Sequence, residues 1–144
     1  MTSWLGYVSF GAGIIVALAI IFQLYQGRKT RQSELIANLS ETWDSILLVE
    51  SRQLARSFGK DGLLGALQDA YKANSSQWYI LMRIPSFFNT MGAMVKHGDL
   101  PKKLVVEIFG TQLRDYWELY KNALTIEQVK DNSYFQALGE KIRR

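Results

Sequence analysis

WLGYVSFGAGIIVALAIIFQLY, residues 4–25, contains no charged side chain. As a helix rising about 1.5 Å per residue, its roughly 22 residues would extend about 33 Å, close to the hydrocarbon thickness of a bilayer. The remainder of the chain is polar enough to fold in water. The expected architecture is therefore all-α. One N-terminal transmembrane helix occupies residues 1–27, and a cytoplasmic bundle of about five helices occupies residues 28–144.

The flanks orient the segment. No Lys or Arg precedes the apolar run, whereas Arg28, Lys29 and Arg31 come directly after it. Basic residues beside a span are retained on the cytoplasmic side, so the short N-terminus is expected outside and the bundle inside. Trp4 and Tyr7 fall at one predicted interface and Tyr25 at the other, where amphipathic rings are favoured. A cleavable signal peptide is the rival reading, with Ala17-Leu18-Ala19 as the cleavage site. That tripeptide lies inside the apolar run, no basic residue comes before it, and cleavage would leave IIFQLY as an apolar terminus. Ser9, Gly13 and Ala17 recur every fourth residue, which puts three small side chains on one helix face. They predict a homo-oligomer packed through the span, although small residues are also common in spans for no special reason.

Composition narrows the rest. About 115 residues beyond the anchor suffice for one modest domain. The absence of Cys excludes disulfides, thiolate catalysis and Cys-ligated metals. The net charge of +4 is local: Arg28, Lys29 and Arg31 flank the span, and Lys141, Arg143 and Arg144 end the chain. With those six set aside, 11 basic residues face 13 acidic ones. Membrane orientation and contact with anionic lipid account for this pattern, and no nucleic-acid partner is needed.

After Gly27, which is expected to loosen the junction, Leu35, Leu39, Trp43, Ile46 or Leu47, Leu54 and Phe58 recur at steps of three and four. They predict one helix over 30–58, interrupted on its apolar stripe by Glu50. Gly59-Lys60-Asp61-Gly62 reads as a turn, and a short helix over 63–73 buries Leu63, Leu64, Leu67 and Tyr71. The helix over 77–97 has a wide apolar face, and Pro85 within it is expected to kink or break it. Gly98 is expected in a left-handed conformation, Asp99 as a cap and Pro101 in the next first turn. Helices are expected over 100–109 and 111–127, with fusion across Gly110 left open. A last helix should start at Asn132-Ser133, with Ser133 and Gln136 at capping-box spacing and Tyr134, Phe135, Leu138 and Ile142 buried.

The run ILMRIPSFFNTMGAMVKHGDLPKKLVVEIFGTQLRDYWELYKNAL, residues 80–124, resembles the core of a bacterial family of short membrane-anchored helical proteins, a domain of unknown function. Phe87, Phe88, Gly98, Leu100, Phe109, Gly110, Tyr116, Trp117 and Tyr120 carry the resemblance, which extends over about residues 78–140. Pro85 and the pair Val129-Lys130 depart from the pattern. The matching positions are mostly packing residues. The resemblance thus implies a fold and a location in the cell inner membrane, and no activity.

Chemical motifs are sparse. The single histidine, His97, sits at a predicted helix end, where a positive ring suits the dipole. Asp115 and Glu118 form a lone carboxylate pair without a histidine, too little for a metal site. Gly59, Gly62 and Gly65 lack the strand and Lys-Ser/Thr of a phosphate loop. No catalytic residue, metal or cofactor is expected. Tyr116, Trp117 and Tyr120, with Phe109, form a dense aromatic cluster that reads either as core or as a surface for a protein partner. The expected function is a non-enzymatic, membrane-tethered interaction or sensing module. The alternative is a membrane-acting effector in stress or phage defence.

Overall fold

The computed structural model describes residues 3–142, and for residues 3–14 and Ile126 the backbone only. Six helices and no strand occur among the described residues: α1 (Ser3–Asp44), α2 (Ile46–Lys72), α3 (Ser76–Lys96), α4 (Lys102–Tyr120), α5 (Ile126–Asp131) and α6 (Ser133–Ile142). The chain divides into two compact units, Met1–Ala37 and Asn38–Arg144.

The first unit is helical throughout its described length. Gly27 does not loosen it, and α1 runs on through that position. Thr30 and Ser33 return their hydroxyl protons to the carbonyls of Gln26 and Lys29, at 3.0 and 3.1 Å, so both polar side chains stay within the helix. Among the described residues no helix is long and apolar enough to cross a membrane. Of the stretch expected to do so, residues 4–25, the side chains of residues 15–25 are described. The side chains of Trp4, Tyr7, Ser9 and Gly13 lie outside the described residues.

In the second unit the helix expected over 30–58 is divided at Ser45. This residue is extended (φ −62°, ψ 150°), and its hydroxyl donates to the Thr42 carbonyl at 2.6 Å. A serine that bonds its own preceding turn competes with helix continuation. The break shifts the helical phase. Leu39 and Trp43 are buried before it, and Leu48, Ser51 and Ala55 after it, while Ile46 and Leu47 face solvent. The turn at Gly59 is present, with φ 68° and ψ 179°, a conformation open to glycine and strained for other residues. The segment expected as a separate short helix is thus the second limb of α2. It buries Leu63, Leu67 and Ala70 but leaves Leu64 and Tyr71 exposed.

Pro85 neither ends nor divides α3. Gly98 adopts the expected left-handed conformation (φ 81°), but Asp99 does not cap α4. Pro101 occupies the N-cap position, without a side-chain bond. α4 passes uninterrupted through Gly110 and stops at Tyr120, earlier than expected. A short α5 comes next, opened by a capping box between Thr125 and Gln128. The box expected at Ser133 and Gln136 does not form, because the first amides of α6 are satisfied from another helix. The Asn89 Oδ1 of α3 accepts from the backbone N–H groups of Tyr134 (3.1 Å) and Phe135 (3.3 Å). The same side chain donates through Nδ2 to the Asp131 carbonyl at 3.3 Å, so one residue ties the end of α5 and the start of α6 to α3.

The core is aromatic. Trp43 meets Phe87, Phe88 and Tyr116 at 5.2–5.5 Å between ring centroids. Phe88 stacks on Phe135 at 5.3 Å, and Trp117 meets Phe135 edge-on at 5.2 Å. Each fully buried side chain of this size stabilises the fold by about 1.5–3 kcal/mol, and paired rings add about 0.5–1.5 kcal/mol. α6 approaches its neighbours closely at two glycines. A Cβ on Gly92 would meet the Tyr134 carbonyl oxygen at 2.7 Å, and one on Gly139 would overlap the Trp117 indole.

Candidate functional site

The aromatic cluster singled out in the sequence is core. Tyr116, Trp117 and Tyr120 are 2%, 6% and 0% exposed, so no partner reaches those rings unless the bundle opens. Tyr120 donates its hydroxyl proton to the Leu81 carbonyl at 2.6 Å. Burial, and next the neighbouring Tyr116, raise its pKa far above the ordinary tyrosine value. Burial raises that of Tyr116 as well; Arg56 and then Arg52 oppose the shift. The Tyr116 hydroxyl is buried without a partner in hydrogen-bond geometry.

His97 closes α3, with its backbone N–H on the Ala93 carbonyl at 2.9 Å, and its ring lies 6.3 Å from that of Tyr134. Asp115 lies beside Arg114 at 4.0 Å, and Glu118 pairs with Lys121. Among the described residues no group of three or more His, Asp or Glu is placed to hold a metal ion.

On α1, residues 15–25 carry a band of exposed apolar side chains. Ile15, Val16, Leu18, Ile20, Ile21, Phe22, Leu24 and Tyr25 are each 52–69% exposed, and Ala17 is exposed among them. Tyr25, Arg28 and Lys29 line a shallow recess with Gln32, at helical steps of three and four. Arg31 is exposed one residue before Gln32.

Two arginines absent from the sequence-level candidates form a second feature. Arg52 and Arg56 lie one turn apart on α2. The Arg52 guanidinium carbon is 4.5 Å from the Trp43 ring centroid, and that of Arg56 is 5.4 Å from the Tyr116 centroid. Around them is a recess of about 340 Å³ lined by Trp43, Val49, Arg52, Gln53, Arg56 and Gln112. No carboxylate lies within 4.0 Å of either guanidinium among the described residues. The legible signal was the Arg-x-x-x-Arg spacing. What the sequence hid was that α1 and α4 bring rings beneath the two side chains. Elsewhere, Tyr71 and Trp78, 5.0 Å apart, wall a wider groove of about 790 Å³ with Leu64, Lys72, Glu127 and Asp131.

No curated protein and no solved structure matches the chain. The family model described as Domain of unknown function (DUF4760) matches residues 8–144, nearly the whole sequence, and the chain belongs to that family.

Proposed function

We propose that this protein is a single-pass membrane-tethered helical module, with its N-terminus outside and its bundle at the cytoplasmic face of the cell inner membrane. The observation that carries this reading is the exposed apolar band of residues 15–25, succeeded at once by Arg28, Lys29 and Arg31. The band surrounds the helix and is not confined to one stripe. A helix apolar on all sides is stable in lipid or inside a large protein, and contiguous exposed apolar surface marks a membrane or protein contact. Residues 15–25 extend about 16 Å, half of a hydrocarbon core, and the uncharged residues 4–14 supply the other half by sequence. The basic flank supports the orientation. Ser9, Gly13 and Ala17 are the face on which a second copy would pack, and the bundle is the part left free to meet a protein partner.

Fractionation tests the reading. The full-length chain should stay with membranes through an alkaline carbonate wash, and a reporter fused after Arg144 should be read on the cytoplasmic side. Replacing Leu18 and Ile21 by Lys should release it to the soluble fraction. Recovery of the intact wild-type chain in the aqueous fraction without detergent would overturn the proposal.

A further inference from the structure

We propose that Arg52 and Arg56, with Gln53 and Gln112, form a binding site for the phosphate group of a ligand. This inference is independent of the membrane tether. It rests on three features of the α2 surface. First, two guanidinium groups one helical turn apart carry like charge with no acidic side chain lining their recess. Like charges at this spacing destabilise a helix, a penalty that an anion between them removes. Second, each guanidinium carbon lies over an aromatic ring, 4.5 Å from the Trp43 centroid for Arg52 and 5.4 Å from the Tyr116 centroid for Arg56. A cation–π contact of this kind leaves other guanidinium N–H donors available, and it is with such donors that arginine grips phosphate in a two-bond fork. Third, the amide side chains of Gln53 and Gln112 border the same recess and add neutral donors. At about 340 Å³ the recess accommodates a phosphate group and a small attached moiety, with Val49 and Trp43 as its apolar lining.

The phosphate can belong to a soluble phosphomonoester or to a lipid headgroup, and the test separates the two. Full-length protein in nanodiscs of zwitterionic lipid is titrated with inorganic phosphate and with phenyl phosphate, while the arginine Nε–H signals are tracked by NMR. A parallel sample uses nanodiscs containing phosphatidic acid. Saturable shifts of the Arg52 and Arg56 signals by the soluble probes assign a free ligand. Shifts in the phosphatidic acid discs alone assign a headgroup. In either case Arg52→Gln and Arg56→Gln should each weaken binding about tenfold or more, Arg52→Lys should fall between Arg52→Gln and wild type, and Arg114→Gln on α4 should leave it unchanged. Circular dichroism of each variant verifies that the bundle is intact. Absence of saturation in every sample, or affinities equal in wild type and both glutamine variants, overturns the proposal.

Discussion

The Tyr120 hydroxyl on α4 takes the place of a backbone donor that Pro85 removes from α3. In an uninterrupted helix the Leu81 carbonyl would accept from the N–H four residues on, and that residue is Pro85, which has none. Tyr120 lies 2.6 Å from that oxygen and is wholly buried. The proline is thereby compatible with a continuous helix in the core, and the orphaned carbonyl becomes a specific link between two helices.

Tyr120→Phe keeps the ring and strands the carbonyl. A buried acceptor without a partner costs about 1–3 kcal/mol, so the variant should lose that much stability in urea titrations of the detergent-solubilised chain. In a Pro85→Ala background the new N–H satisfies Leu81, and the same substitution should cost clearly less. Equal costs in both backgrounds would show that the two residues are not coupled.

Asn89→Ala removes the side chain that accepts from the first amides of α6. The loss should be about 1–2 kcal/mol, as for other N-terminal caps, and hydrogen exchange should show α6 opening before α3. Asn89→Asp keeps the acceptor and adds a charge that suits a helix N-terminus, so it should recover most of the stability.

The glycines divide into two kinds. Gly139→Ala drives a methyl into the Trp117 indole and should destabilise by about 1–3 kcal/mol. A Cβ at Gly65, on exposed α2, meets nothing within 4 Å, and Gly65→Ala should stabilise by about 0.5–1 kcal/mol through helix propensity. Melting temperatures of the two variants should move in opposite directions.

Alkaline pH should weaken the fold through Tyr116 and Tyr120. Both are held above the ordinary tyrosine pKa of 10.0, so the folded state keeps protons that the unfolded state has lost. Their contribution is complete below pH 10.0 and declines as the pH rises past it, with a slope of up to about 1.4 kcal/mol per pH unit for each tyrosine. Melting curves between about pH 9 and 12 should show the decline, and Tyr120→Phe should make it shallower.

Local rules reached far into this fold. The 3.6-residue periodicity over 77–97 marks Trp78, Ile80, Leu81, Ile84, Phe87, Phe88, Met91, Met94 and Val95 as one apolar face; Leu81, Ile84, Phe87, Phe88 and Met91 are buried, and the other four, toward the ends of the helix, are half-buried. Gly59 and Gly98 mark their turns, since a positive φ is written in the residue type. The breaks misplaced in the sequence are those set by polar side chains of ambiguous use. Ser45 bonds back to Thr42 and ends α1 where the apolar spacing runs on, and Thr125, not Ser133, opens a capping box. At the candidate site the spacing of Arg52 and Arg56 was readable, but not the rings that hold them.

The sequence by itself determined an all-α chain, its uncharged opening segment and most of its buried faces, because charge, periodicity and turn chemistry act over a few neighbouring residues. Only the tertiary structure decided that Tyr116, Trp117 and Tyr120 are core, that Pro85 needs no break, that Asn89 starts α6, and that two arginines stand over Trp43 and Tyr116. Each of these depends on a donor, acceptor or ring brought from another helix, and no local pattern records which distant group will arrive.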